Sequence, residues 1–329
     1  MTEKQRVLSG MRPTGRLHLG HYSVIENWDF LSPKYDPYFF TEYGLAFTTQ
    51  FDHTYHLRYN KRQVVIDYIS AGLDPCKCHI FHQSDIKEHA ELNLLMAMIT
   101  PLSWLERVPT YKGQLQQFKE QGKDIATYGF LGYPLLMSAD ILMYRPVGVP
   151  VGEDQVPHCE FTRELARRFN NLYGVDVFPE PEAILSKIKV LPGTDNRKMS
   201  KSYDNYINLS FTAAEVKDKV WQMVTDPARI RKTDPGHPDI CAVHAYHGFY
   251  NQQEQPEICA NCKAGLIGCG DCKKKLTKCL NDFLDPIREK RAQLEQMPDL
   301  LDDIIAAGNM AARKEAVKTM EMVREAIKI

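Results

Sequence analysis

The sequence predicts an α/β domain over residues 1–204 followed by a smaller, all-helical domain over 205–329. Two observations carry this division. Short apolar runs alternate with longer helix-period runs in the first two hundred residues, and from Asn205 onward only helix-period runs remain. The length of 329 residues agrees with about two domains.

Taken in order, "QRVLSG", "DPYFF" and "CHIFHQS" are the expected strands of the first part, too short and too continuously apolar for surface helices. "HYSVIENWDF", "KRQVVIDYISAG" and "HAELNLLMAMI" place apolar residues three and four apart and are the expected helices between them. In the second part "TAAEVKDKVWQMV" follows a Ser/Thr cap. "KKLTKCLNDFLDPIREKRAQLEQM" and "MAARKEAVKTMEMVREAIKI" are long amphipathic segments, the last of which is able to fold back on the first domain. "TDPARIRKTDPGHPDI", rich in Pro, Asp and Arg, reads as a connector.

Composition narrows the function classes. With 43% hydrophobic and 25% charged residues the chain is that of a globular protein. A net charge of −1 gives no whole-molecule attraction to nucleic acid, so any such surface must be local. No apolar run is long enough to cross a bilayer, and "MTEKQRVLSGMRPTG" lacks the apolar core of a signal peptide, so a cytoplasmic protein with no membrane partner is expected. In a reducing compartment nine cysteines do not read as a disulfide framework.

Two segments point to phosphate chemistry. "RVLSG", "MRPTG" and "HYSVIENWDF" together read as strand, glycine-bearing turn and helix start, where free N–H groups and the positive helix end attract anions. "HLGH" sets His18 and His21 there, and Gly20 allows a nucleotide close to the backbone. "DNRKMSKSY" follows the turn-forming "LPGTD" and places Lys198 and Lys201 on what reads as a flexible loop able to close over a polyphosphate. Singly, each has a plain reading: solvated lysines, and a structural histidine pair. Neither a Walker A sequence nor a Gly-x-Gly-x-x-Gly fingerprint is present.

Together, "HLGH" and "KMSKS" resemble the two signatures of class I aminoacyl-tRNA synthetases. "SGMRPTGRLHLGH", "ERVPTYK", "YPLLMSADILMY", "VPVGEDQVPHCEFTRELARRFN", "LPGTDNRKMSKSYDN" and "MVTDPARIR" extend the likeness to the bacterial-type tryptophanyl-tRNA synthetase family, over essentially the whole chain. The resemblance implies a Rossmann-type catalytic domain, a helical anticodon-binding domain and a homodimer. It implies L-tryptophan, ATP with Mg2+, and tRNA(Trp) as substrates. The amino-acid carboxylate attacks the α-phosphorus of ATP, pyrophosphate leaves, and the acyl group passes to the tRNA terminal ribose.

Residue by residue, the resemblance makes His18, His21, Lys198 and Lys201 catalytic. ATP is implied to contact Arg12, Pro13, Thr14, Gly20 and His21, then Gly152, Glu153 and Asp154 of "GED" for ribose and adenine, and Lys198, Met199, Ser200, Lys201 and Ser202. The amino-acid pocket is implied to hold Gly10, Tyr133, Met137, Val149 and Val151, with Asp140 accepting the indole N–H and Gln155 holding the α-amino group.

One stretch departs from the family. Where it usually reads like "FVADWHALTT", this chain has "FTEYGLAFTT" at 40–49. Leu45 takes the place of a histidine beside the indole, Tyr43 replaces an acidic residue, Gly44 is expected to open space and Glu42 to add a polar handle to the pocket wall. The alternative function is a specialised paralogue that activates a modified tryptophan or a related amino acid. A ligase with a non-tRNA acceptor and a non-catalytic RNA-binding relative are further alternatives. Arg229, Arg231 and Lys232 are available for phosphate contacts.

Cys241, Cys259, Cys262, Cys269 and Cys272 cluster, with Cys279 just beyond. "CKAGLIGCGDC" matches the Cys-x6-Cys-x2-Cys core of those family members that carry a 4Fe-4S cluster, which implies Cys241, Cys262, Cys269 and Cys272 as ligands. Cys259 adds a second Cys-x2-Cys, so Zn2+ on Cys259, Cys262, Cys269 and Cys272 is the alternative, and absence of metal a third reading.

Overall fold

The computed structural model describes residues 4–26, 28–120, 122–185 and 191–329, without the side chains of 23, 29, 30, 110 and 202. Five strands form one parallel sheet: β1 (Arg6–Met11), β2 (Asp36–Thr41), β3 (His79–His82), β4 (Gly148–Val151) and β5 (Glu182–Leu185), in the order β3-β2-β1-β4-β5. The first three are the strands expected from sequence. They read as nearly unbroken apolar runs because helices cover both faces of a parallel sheet, and Val7, Leu8, Phe39, Phe40, Ile80 and Phe81 are buried. Helices Leu57–Ser70, Glu88–Ile99, Tyr133–Met143 and Val156–Tyr173 supply that cover. This is the doubly wound architecture, with its topological switch between β1 and β4. Gly10 and Met11 end one of these strands, Pro150 and Val151 the other.

The boundary expected at 204/205 is not where the chain divides. One compact unit comprises Met1–Gly15, Val24–Lys187 and Met297–Ile329; the other comprises Arg16–Ser23 and Ile188–Gln296. The carboxy-terminal helix Pro298–Ile327 therefore belongs with the sheet. Its seat is built for it: a side chain at Gly308 would come 1.9 Å from the Ile80 carbonyl oxygen, so only glycine lets the helix lie against β3. Thr319 Oγ1 donates to the Met143 carbonyl (2.8 Å), Arg6 pairs with Glu315 (2.8 Å), and Ala312, Ala316, Met320 and Val323 enter the core of the sheet.

The second unit is helical in its larger part: Ala213–Gln222, Ala242–Tyr250, Gln255–Lys263 and Cys269–Glu295. The expected cap is present as a capping box between Thr212 and Glu215. The Pro-rich connector folds around Asp226, which accepts from the Ala228 N–H (2.9 Å) and the His237 N–H (2.9 Å). Among the described residues no helix is long and apolar enough to cross a membrane.

Candidate active site

The residues singled out from sequence fall into two constellations, each inside one unit. In the second unit, "HLGH" and "KMSKS" meet. His18 ends the turn before helix Leu19–Glu26, and its neighbour Leu19 donates through its N–H to the Ile207 carbonyl (2.9 Å), just beyond the lysine loop. The two imidazoles lie 3.7 Å apart between centroids; the His18 N–H donates to His21 Nδ1 (3.1 Å) and the Gly20 N–H to His18 Nδ1 (3.2 Å). A side chain at Gly20 would come 3.1 Å from the His18 ring and 3.4 Å from Met199 Sδ, so the loop's methionine packs on this turn. Burial, helped by Lys201 and Lys198, lowers His18 to about 3 and keeps it neutral. It acts as a hydrogen-bonding group, and the two lysines carry the charge.

The lysine loop differs from the flexible segment expected. Asn205, 2% exposed, clasps it: Nδ2 donates to Asp195 Oδ1 (2.7 Å) and the Lys198 carbonyl (3.0 Å), while Oδ1 accepts from the Ser200 N–H (2.8 Å). Turn composition indicated mobility, but a buried amide at a distance of several residues supplies the order. Lys198 is exposed, Lys201 and Ser200 are half-buried and Met199 is buried; the Ser202 side chain lies outside the described residues.

In the first unit, Asp140 is fully buried on helix Tyr133–Met143. Gln83 Nε2 donates to its Oδ2 (2.5 Å) and His89 Nδ1 sits 2.6 Å from its Oδ1. The other ring nitrogen, His89 Nε2, is paired with the Tyr144 hydroxyl (2.8 Å), so the imidazole bridges Asp140 and Tyr144. Gln83 also accepts the Gly44 N–H on Oε1 (2.7 Å), which ties 42–50 to the same carboxylate. Sequence reasoning missed Gln83 and His89. A signal for His89 existed: it shares an apolar helix face with Leu92 and Met96, all three buried, where a histidine needs a polar partner.

Around this carboxylate, Tyr133 packs on Phe130 (5.3 Å) and edge-on to His158 (5.5 Å), and Leu45 joins the Phe130 and Tyr133 cluster with Met137 at its margin. Val149 and Val151 are buried on β4. Glu42 is 9% exposed and presses on Gly10, where a side chain would come 2.2 Å from Glu42 Oε1. Burial first and Asp140 second raise Glu42 to about 8, against the pull of Arg12. Two expectations change here, for Gly44 and Tyr43. Gly44 opens no space, because a side chain there would meet Leu136 Cδ2 at 3.0 Å and Gln83 Oε1 at 3.2 Å. Tyr43 is no pocket wall: it lies under Lys61 (5.7 Å) and lines an open cleft of about 660 Å³ with Tyr55, Arg58 and Lys87. Gln155 turns its amide to Asp154 Oδ2 (2.7 Å).

Arg12, Pro13 and Thr14 follow β1, and Gly152, Glu153 and Asp154 follow β4, the two strand ends that flank the switch point where open α/β sheets take ligands. The family model for tRNA synthetases class I (W and Y) matches residues 1–285. The chain belongs to that family. The synthetase is 48% identical to "Tryptophan--tRNA ligase" of Thermotoga maritima, with 98% of this chain and 99% of the relative covered. To the Aquifex aeolicus protein of the same name it is 42% identical, covering 98% and 100%. The crystal structure of tryptophanyl-tRNA synthetase from Campylobacter jejuni complexed with ADP and tryptophan superposes with a TM-score of 0.86 at 32% identity, covering 98% and 100%.

The synthetase's cysteines gather in the second unit. Cys241 precedes helix Ala242–Tyr250, Cys262 closes Gln255–Lys263, and Cys269 and Cys272 open Cys269–Glu295. Arg229 Nη1 lies 3.7 Å from Cys262 Sγ and 3.9 Å from Cys269 Sγ, and the Cys272 thiol sits 3.4 Å from His247 Nε2. Burial pushes Cys272 up to about 12, with Cys241, Cys262 and Cys269 as the neighbouring thiols that add to the rise. Cys259 adds to the rise at Cys262 but is absent from that set. Among the described residues, however, no three His, Cys, Asp or Glu side chains converge as they would on a metal ion. A tetrahedral zinc, with Zn–S of about 2.3 Å, would draw its sulfurs to about 3.8 Å of one another.

Proposed function

We propose that the chain is a tryptophan--tRNA ligase: it activates L-tryptophan with ATP and transfers it to tRNA(Trp). The observation that carries this reading is the packing of "KMSKS" on "HLGH" within one unit, in a chain 48% identical to a relative of that name. The carboxylate of tryptophan attacks the α-phosphorus, the bond from that phosphorus to the bridging oxygen breaks, and the electron pair leaves with pyrophosphate. Negative charge builds on the departing oxygens, and Lys198 and Lys201 are the cations to meet it. His18, kept neutral by burial, and His21 beside it offer ring N–H groups to the phosphates, and Mg2+ arrives with ATP as part of the substrate.

Arg12, Thr14 and the "GED" segment take the nucleoside side. Asp140 accepts the indole N–H: Gln83 and His89 use one site on each oxygen, and a carboxylate has about four. The same partners keep the charge tolerable in a buried position. Gln155 reaches the α-ammonium once it leaves Asp154.

Three finer assignments belong to this proposal. The thiols of Cys241, Cys262, Cys269 and Cys272 hold a 4Fe-4S cluster; the Arg229 guanidinium beside two of them favours thiolates. When bound, the cluster supplies cross-links among three helices near the RNA-reading part, since aminoacylation moves no electrons. A second copy covers Leu94, Met98 and Leu102, which stand exposed at four-residue spacing. The protein works in the cytoplasm.

ATP–pyrophosphate exchange with tryptophan, tyrosine and arginine, followed by charging of purified tRNA(Trp), tests the reading. Exchange favouring an amino acid without an indole overturns it.

A further inference from the structure

We propose that Glu42 is a specificity-determining residue whose carboxyl hydrogen-bonds a hydroxyl carried on the indole ring of the amino-acid substrate. The inference rests on the ligase reading and names the substrate class of the same pocket: ring-hydroxylated tryptophans, accepted in preference to tryptophan.

Glu42 precedes helix Tyr43–Gln50, at the position from which a side chain can cap the helix. It does not do so here. Gln83 Oε1 takes the Gly44 N–H instead, and the Glu42 side chain makes no capping hydrogen bond. Its carboxyl lies over Gly10, at the end of β1, 91% buried by its 9% exposure. No hydrogen bond to that carboxyl occurs among the described residues, whereas buried carboxyls ordinarily have partners. Arg12, the cation that acts on it, is exposed.

The contrast with Asp140 identifies the missing partner. Asp140 is already held by Gln83 and His89 and needs only an N–H donor to fill its remaining capacity. Tryptophan has one ring donor, so it satisfies Asp140 and leaves Glu42 unpaired. Burial and the neighbouring Asp140 hold Glu42 protonated at neutral pH, and a carboxylic acid both donates and accepts. A hydroxyl group does the same, so the two are complementary. Leu45, packed with Phe130 and Tyr133, gives the adjacent wall no polar group to compete.

The test is pyrophosphate exchange by the full-length enzyme with tryptophan and with 4-, 5-, 6- and 7-hydroxytryptophan, for wild type, Glu42→Gln and Glu42→Ala. For wild type, kcat/KM is expected to be higher for at least one hydroxytryptophan than for tryptophan. Glu42→Ala should lower that ratio at least tenfold, and Glu42→Gln, which still donates and accepts, should keep it within about threefold. Calorimetric titration of the same amino acids reads the ratio without turnover. Wild-type preference for tryptophan over all four, or a ratio unmoved in Glu42→Ala, overturns the proposal while the ligase reading stands. Absence of exchange with every indole amino acid overturns the ligase reading itself, and the titration still decides Glu42.

Discussion

Asn205→Ala should slow adenylate formation without weakening substrate binding much. The amide makes three hydrogen bonds, to Asp195 Oδ1, the Lys198 carbonyl and the Ser200 N–H, from a position 2% exposed. Each is worth about 1 kcal/mol net, and the one to the Asp195 carboxyl somewhat more. Removing all three costs the ordered loop about 3 kcal/mol, a net value that already includes the return of water. That corresponds to about 160-fold, because 1.36 kcal/mol is tenfold in rate. On the proposed reading Lys198 and Lys201 meet charge that develops in the transition state, so the loss is expected on kcat, with KM for tryptophan within about twofold. Steady-state pyrophosphate exchange measures both, and thermal denaturation checks that the variant is folded. A folded variant with kcat within twofold of wild type refutes the idea that this clasp positions the lysines.

Lys201→Ala should lower exchange kcat by about 10²- to 10³-fold, the order for one preorganised donor, with ATP affinity little changed in equilibrium titration. His89→Leu removes a donor to buried Asp140 and should cost about 1–3 kcal/mol in urea denaturation, together with tryptophan affinity. Anaerobically purified protein should contain iron and sulfide, lost in Cys269→Ser and kept in Cys259→Ser; zinc that is lost in both variants would favour the other assignment. His18 is lowered to about 3, His158 and His82 to about 4, in each case chiefly by burial. The unfolded chain takes up these protons near pH 6.5 and the folded protein does not, so stability is intact above 6.5 and falls toward pH 4. The slope is about 1.4 kcal/mol per pH unit for each histidine, and His158→Gln should show a shallower pH profile of the denaturation midpoint.

The sequence by itself determined what depends on neighbours along the chain. β1, β2 and β3 were legible because strands buried on both faces read as apolar runs, and the capped helix Ala213–Gln222 because Thr212 and Glu215 sit at capping spacing. The "HLGH" and "KMSKS" signatures and the cysteine spacing were legible as fixed residue patterns. Only the tertiary structure decided which distant groups share a carboxylate or a loop. Gln83 and His89 reach Asp140 across more than fifty residues of chain, and no local periodicity encodes that choice. Gly44 gave no sign in the sequence that Leu136 and Gln83 already occupy the space beside it. The amphipathic period of Pro298–Ile327 marked a helix with an apolar face, but the surface for that face was set by the absent side chain of Gly308 against β3. Helical and strand periods report which side of an element is apolar; close packing and the pairing of buried polar groups, which act between elements, select what that side meets.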